Sequence, residues 1–251
     1  MRFLFRYLDS AKFAVRDNYC SKSYLIDCGV NESDIELLPD DLLFINKRLT
    51  NDSELIEKNY IAIIVHNSME YIKENEGLFI QFANSIKTKY GLDIVFVPFD
   101  LVWYGYDQSE YLNSKIPSSS IVEYEKFLPI EKAYNIIKNA KMVITGRYHA
   151  SILAQQTSTP FIVVLGSSRW GKTYSYNKVY GSLQRLFVNT PFHENLFMAV
   201  DWEEALRLVD NSFSRIANEQ KQLFDNNNTK NNLTAMYTDR IKYIHNYLRG
   251  D

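Results

Sequence analysis

The chain has 251 residues, enough to bury a sizeable core as one large domain or two small ones. Its formal charge of −2 supplies no basic face, so nucleic acid is excluded as an expected partner. Hydrophobic residues at 46% and charged residues at 23% are the balance of an ordinary globular protein, and the 18 Tyr and 15 Phe lift a sugar-binding reading only slightly, since most aromatics are core.

Phe3, Leu4, Tyr7 and Leu8 share one side of an amphipathic helix over residues 3–10. Lys12 to Val15 is a short strand ending at Arg16-Asp17, and a helix follows from Cys20 to Cys28, with Gly29 placed where a left-handed residue ends it. Ile35 to Leu38 is a second strand, halted by Pro39-Asp40-Asp41. Residues 46–59 are polar and charged and form the expected linker. Tyr60 to Val65 is a strong strand ending at His66. The stripe Leu78, Phe79, Phe82, Ala83, Ile86 and Tyr90 predicts a helix over 76–90, closed by Gly91. Asp93 to Pro98 is the next strand, and Asp100 to Tyr111 reads as an aromatic loop carrying Trp103, Tyr104 and Tyr106, either a ligand wall or a packed cover. Pro129 opens a helix with Ile130, Ala133, Tyr134 and Ile137 on one face. After the central unit described next, Asp201-Trp202-Glu203-Glu204 caps a long helix. Asn226-Asn227-Asn228 breaks it, and a last helix runs from about Leu233 to Leu248.

Lys141 to Val164 organises the chain. Met142 to Thr145 is a buried strand, Gly146 breaks it, and Arg147, Tyr148 and His149 stand at the mouth of a helix that Pro160 closes before the strand Phe161 to Leu165. Repeated α–β alternation implies right-handed crossovers and a parallel sheet covered on both faces. Such sheets bind ligands beyond the carboxyl ends of their strands, where a helix N-terminus favours anions. Arg147 adds a bidentate donor for phosphate or carboxylate, and His149 a proton carrier near neutral pH. A local ion pair for Arg147 and a plain helix-start role for His149 are the other reading. His66, at the end of its own strand, is a secondary candidate or a solvated loop residue.

Cys20 and Cys28 build neither a disulfide framework nor a metal site, and the four histidines, at 66, 149, 193 and 245, are too scattered to form a ligand cluster. No apolar run reaches membrane-spanning length, and Asp9 and Lys12 interrupt any signal-peptide core. The expectation is a reduced, soluble, cytoplasmic protein without a transmembrane segment.

Gly146-Arg147-Tyr148-His149 with Pro160, and the earlier run of Arg16, Asp17, Gly29, Val30, Pro39 and Asp40, resemble the polysaccharide pyruvyl transferase family. The family's serine in that run falls on Cys20 or, with one inserted residue, on Ser21. The resemblance covers about Phe13 to Lys172. It implies an α/β, Rossmann-like parallel sheet in a GT-B-like organisation, with a truncated N-terminal lobe, because the family's opening Gly-Asp loop has no counterpart. The implied layout is the end of a first lobe at 1–45, a linker at 46–59, a second lobe at 60–225 and a C-terminal helix at 226–251, the last crossing back onto the first lobe in GT-B relatives. The implied chemistry moves pyruvyl from phosphoenolpyruvate onto two hydroxyls of a saccharide or lipid-linked saccharide as a ketal, in surface polysaccharide synthesis. His149 is the implied general acid, and Arg16, Arg147, Ser168, Arg169 and Lys172 hold the donor, with either Arg169 or Lys172 as the second cation. No metal or organic cofactor is needed. A nucleotide-sugar glycosyltransferase of the same fold and a non-catalytic sugar-binding relative are the alternatives.

Gly166 to Thr173 also matches G-x-x-x-x-G-K-T, a phosphate-loop pattern. Against it, Tyr174 to Asn177 begin no clean helix, Trp170 crowds the cradle, and no hydrophobic run ending in Asp follows downstream. Nucleoside triphosphate binding is the lesser reading.

Overall fold

The computed structural model describes residues 11–45, 59–99, 105–125, 127–167 and 172–248. Two parallel sheets run through it. The smaller pairs β1 (Phe13–Val15) with β2 (Ile35–Leu37) across the helix α1 (Ser21–Asp27). The larger has six strands: β3 (Tyr60–Ile64), β4 (Asp93–Phe96), β5 (Ser119–Ile121), β6 (Met142–Thr145), β7 (Phe161–Val164) and β8 (Met198–Ala199).

All five β3 residues are buried, and so are all four of β6 and of β7. Runs without polar alternation fit strands covered on both faces. The order is β5-β4-β3-β6-β7-β8, parallel at every pairing. The chain steps outward from β3 to one edge, returns to β6 and steps outward to the other. This is the Rossmann order, and its direction reverses between β3 and β6, where such sheets take their ligands. Ile64 pairs with Thr145, and Gly146 N–H donates to the Ile64 carbonyl at 3.0 Å, so the segments leaving both strands emerge side by side. The four central strands are parallel in one sheet, as the sequence leads one to expect.

The covering helices follow the pattern of their apolar residues. α2 (Met69–Glu74) precedes α3 (Glu76–Tyr90), which buries Phe79, Phe82, Ala83 and Ile86. α5 (Ile130–Asn139) buries Ala133, Ile136 and Ile137 and starts just after Pro129, which sits at its N-cap. α6 (Tyr148–Thr157) links β6 to β7. α8 (Trp202–Asp225) is capped by Asp201, whose carboxylate accepts from Glu204 N–H at 2.9 Å, while Glu204 accepts from Val200 N–H at 2.6 Å.

Several elements differ from the sequence reading. α4 (Gly105–Lys115) occupies most of the expected aromatic loop, and the Tyr106 ring sits edge-on to Tyr124 at 6.0 Å, which makes it packing. Trp103 and Tyr104 lie outside the described residues, as do the 3–10 helix and residues 46–58 of the linker. α7 (Lys172–Leu186) begins where the sequence predicts none and includes Tyr174 to Asn177. Its buried residues, Val179, Leu183 and Leu186, appear only in its second half, so the first turns carry no amphipathic signal. α9 (Asn227–Leu248) starts earlier than expected, because only Asn226, at φ −61° and ψ 135°, leaves the helical region.

α9 reaches back to residues 41–44. Met236 packs with Leu43 and Ile152, the Tyr237 ring lies 5.3 Å from Phe44, and the Arg240 guanidinium grips Asp41 at 2.6 Å. Gly29, at φ +91°, supplies the left-handed turn that ends α1. Among the described residues no helix is long and apolar enough to cross a membrane.

Candidate active site

The β6–α6 turn is built by its own side chains. Thr145 Oγ1 accepts from Arg147 N–H at 2.9 Å, turning the chain as the strand ends and leaving Arg147 at the N-cap of α6 in an extended conformation. Tyr148 and His149 then fall in the first helical turn. The Tyr148 ring packs inward, and burial raises its hydroxyl pKa well above the ordinary phenol value. His149 points the other way, with 56% of its side chain exposed.

A second segment meets this turn from the smaller sheet. Arg16 leaves β1 with its guanidinium 4.7 Å above the Tyr148 ring, a cation–π contact that fixes its plane. Its Nη1 donates to Asp40 Oδ2 at 2.9 Å and lies 3.3 Å from His149 Nε2. Asp40 Oδ2 is itself 3.9 Å from His149 Nε2. Asp40 is largely buried, and its other oxygen accepts from Leu42 N–H at 3.1 Å, so the carboxylate is anchored from both sides. The neighbouring Asp17 accepts from Cys20 N–H, Ser21 N–H and the Ser21 hydroxyl. Ser21, whose hydroxyl Asp17 holds at 2.6 Å, lines the cleft described next, and Cys20 does not.

Arg16, Ser21, Pro39, Asp40, His149 and Arg240 wall a cleft of about 420 Å³. Two guanidiniums and an imidazole stand on its walls, and each guanidinium is paired with a carboxylate there, Arg16 with Asp40 and Arg240 with Asp41. A guanidinium only donates, so the contact with Arg16 requires His149 Nε2 to accept, which leaves its ring proton on Nδ1. The electrostatics agree. His149 is pushed below the ordinary histidine value, first by the surrounding protein that displaces water, then by Arg16, Lys178 and Arg147, with Asp40 opposing them. Without an anion the imidazole is therefore neutral at pH 7.

The cleft brings together two of the residues singled out from the sequence, Arg16 and His149. Arg147 stands beside them at the helix mouth, and its charge reaches the His149 ring, although it does not line the cleft. Lys172 is the exposed first residue of α7, with its Cε near Gly166, and is not among the lining residues. Ser168 and Arg169 lie outside the described residues. His66 follows β3 and is also absent from the lining.

Three participants escape sequence reasoning. Asp40 belongs to the Pro-Asp run that carries the family resemblance, but nothing in the sequence marks it as a partner of Arg16 and His149. Arg240 arrives from α9, 91 residues beyond His149. Lys178 hydrogen-bonds the Tyr174 hydroxyl and lies 3.8 Å above the Tyr174 ring, a spacing of four that becomes one helical face only once α7 is known to be a helix.

The phosphate-loop pattern gains the helix it lacked in the sequence, since α7 starts at Lys172. Its first glycine nevertheless has another duty. Gly166 N–H donates to the Val200 carbonyl at 2.8 Å, and a Cβ there would stand 2.7 Å from that oxygen, so glycine is required by the approach of the chain leaving β8. Among the described residues no cluster of three or more His, Cys, Asp or Glu could hold a metal ion, and both cysteines are free thiols.

Fold and site together define an α/β protein of the Rossmann-like, GT-B type with a cleft of paired arginines and aspartates beside His149 beyond its strand ends. The family model for polysaccharide pyruvyl transferase matches residues 1–168, two thirds of the chain and all of the cleft's walls except Arg240, and the chain belongs to that family. No curated protein sequence matches it. Solved structures give the fold independently. A putative UDP-N-acetylglucosamine 2-epimerase from Listeria monocytogenes superposes with a TM-score of 0.53 at 10% identity, over 92% of this chain and 58% of that one. The UDP-GlcNAc 2-epimerase from Methanocaldococcus jannaschii, in complex with UDP-GlcNAc and UDP, gives 0.53 at 14% identity, over 91% and 61%. The Neisseria meningitidis enzyme bound to UDP-GlcNAc gives 0.53 at 14%, over 88% and 59%. This chain thus spans about three fifths of the length of those structures, and at such identities the likeness speaks for the fold alone.

Proposed function

We propose that this chain carries the donor site of a pyruvyl transferase that moves pyruvyl from phosphoenolpyruvate onto a pair of saccharide hydroxyls as a ketal, in cytoplasmic assembly of a surface polysaccharide. The observation that carries this reading is the meeting of Arg16, Asp40 and His149 in one cleft, on residues the family model covers.

In this scheme phosphoenolpyruvate enters with its phosphate and carboxylate toward Arg16 and Arg147, with Lys178 adding to the field and either Arg169 or Lys172 as the second cation that the resemblance implies. Arg16 releases His149 Nε2 and turns to the anion. Negative charge beside the imidazole then raises its proton affinity, and Asp40 remains as its counter-ion. The imidazolium passes its proton to the methylene carbon, whose π electrons form the new C–H bond and leave an oxocarbenium-like centre at C2. A saccharide hydroxyl adds to C2 and loses its proton, the C–O bond to phosphate breaks, and the second hydroxyl closes the ketal. One hydroxyl proton returns to His149 and the other leaves with phosphate. Nothing is oxidised or reduced. Arg16, held by the Tyr148 ring and by Asp40, has only its contact with His149 to exchange before it stabilises the developing charge.

The test follows phosphoenolpyruvate by 31P and 1H NMR in the presence of hexosides with free 4- and 6-hydroxyls. The expected result is release of inorganic phosphate matched by a new ketal methyl singlet. Turnover of a UDP-sugar with phosphoenolpyruvate untouched would replace this reading with glycosyl transfer. Binding of saccharide with no turnover of either donor would leave a non-catalytic relative.

A further inference from the structure

A second cleft, of about 580 Å³, adjoins the catalytic one and shares Val15 and Ser21 with it as common wall. We infer that it is the acceptor subsite, where a neutral pyranose lies on a tyrosine platform with its hydroxyls turned toward the shared wall. This inference rests on the pyruvyl-transfer reading for its chemistry, though not for its geometry.

The charge of the two clefts separates their ligands. In the catalytic cleft Arg16 and Arg240 are paired with Asp40 and Asp41 beside His149, whereas among the described residues no Lys, Arg or His lines the second, where the one carboxylate is Asp27. Among the described residues a phosphate, a nucleotide diphosphate or a second carboxylate would find no cation on these walls and one anion against it. A neutral polyol would find what it needs. A pyranose has an apolar C–H face that packs on an aromatic ring and a rim of hydroxyls that a carboxylate and serine hydroxyls accept from and donate to.

The aromatic surface is built in advance. Tyr19 and Tyr24 expose 45% and 51% of their surface beside the cleft, which leaves ring face open to a ligand. Tyr19 does not swing freely. Its hydroxyl donates to Gln184 Oε1 at 2.7 Å, and its ring sits 6.1 Å from Tyr180, which stacks on Tyr176 at 5.3 Å and 12°. A ring held from behind while its outer face stays open loses little conformational entropy when a ligand covers it. Tyr174 closes the far wall, clamped by Lys178. Ser23, Tyr24 and Asp27 are spaced one and three residues apart on α1, so that helix offers aromatic, hydroxyl and carboxylate on a single side. α1 has no fully buried residue, so none of these three is committed to the core.

The experiment uses Tyr24→Ala and Asp27→Asn, both at exposed positions that leave the fold intact, with methyl β-galactoside and methyl β-glucoside as probes. In steady state each variant should raise the KM for the saccharide about tenfold, roughly the worth of one good contact, while the KM for phosphoenolpyruvate stays unchanged. Without donor, the ring resonances of Tyr19 and Tyr24 should shift on titration with either glycoside. Ring shifts without any pyruvyl transfer would uphold the subsite and overturn the proposed reaction. Pyruvyl transfer with unchanged saccharide KM in both variants, or glycoside titrations that leave both rings unmoved, would overturn the subsite and leave the reaction standing.

Discussion

The six-stranded sheet and the two-stranded unit solve different problems. In the larger, β3, β6 and β7 are buried throughout, and Trp202, Tyr60, Phe79, Phe96, Phe161 and Phe197 are fully enclosed. In the smaller, the buried cluster is Val15, Val30 and Ile35, and α1 buries nothing completely. Yet the smaller unit contributes Arg16, Ser21 and Asp40 to the cleft, and the larger contributes His149 and the helix mouth. Burial is concentrated where His149 is mounted, and Arg16 and Asp40 stand on the piece with less buried surface. A group that must change partners between the resting site and the donor is well placed on the looser element.

The largest expected effect breaks the larger unit's share of the chemistry. His149→Ala should lower pyruvyl transfer by about two to four powers of ten, the usual worth of a general acid, with phosphoenolpyruvate affinity far less affected. Arg16→Ala should lower both, since it holds charge in the ground state and in the transition state. Equal loss of donor binding in the two variants would mean that His149 only shapes the cleft.

Next come the two cores. Ile144→Ala, at the centre of the sheet, should cost about 2–5 kcal/mol in urea unfolding. Val30→Ala in the small cluster removes about two methylene equivalents and should cost about 1–2 kcal/mol. Equal costs would remove the contrast between the units.

A subtler variant probes how the units dock. A Cβ at Gly181 on α7 would lie 3.3 Å from the Asp17 Cβ, so Gly181→Ala must push the Asp17 turn back by a few tenths of an ångström. The helix-propensity gain of about 1 kcal/mol offsets the crowding, and the melting temperature should hardly move. Transfer should still fall by up to about tenfold, because Arg16 precedes the displaced turn. Unchanged activity would show that the docking distance does not set the site.

The smallest effects are on the His149 titration followed by NMR. The wild-type midpoint should lie below the ordinary histidine value, since the surrounding protein and three nearby cations push it down. Asp40→Asn removes the charge that favours imidazolium and should lower the midpoint further. Arg16→Ala removes a repelling cation and frees Nε2, so it should raise it. As the proton donor in the free protein, His149 makes kcat/KM fall as pH rises through this midpoint. A fall toward low pH instead would assign it the role of a base.

These residues also mark how far the sequence is legible. The β6–α6–β7 unit is plain in it because Met142 to Thr145 and Phe161 to Val164 are unbroken apolar runs punctuated by Gly146 and Pro160, all local signals. β5 and β8 are short edge strands of SSI and MA, with neither the length nor the alternation to stand out. α7 is hidden because its first turns carry Tyr174 and Tyr176, whose ring contacts with Lys178 and Tyr180 are within the helix, instead of a periodic apolar stripe. His149 and Arg16 are recognisable as residue types at strand ends, but their 3.3 Å contact joins positions 133 apart and follows from the docking of two units, which no local pattern encodes.

The central claim is that a proton reaches the methylene carbon of phosphoenolpyruvate from His149, and deuterium reports it directly. In D2O, with phosphoenolpyruvate and an accepting hexoside, the product ketal should carry one deuterium in its methyl group by mass spectrometry, formed at a rate that collapses in His149→Ala. Undiminished formation of the deuterated ketal by His149→Ala, or phosphate release with no deuterium in the three-carbon unit, would contradict the account.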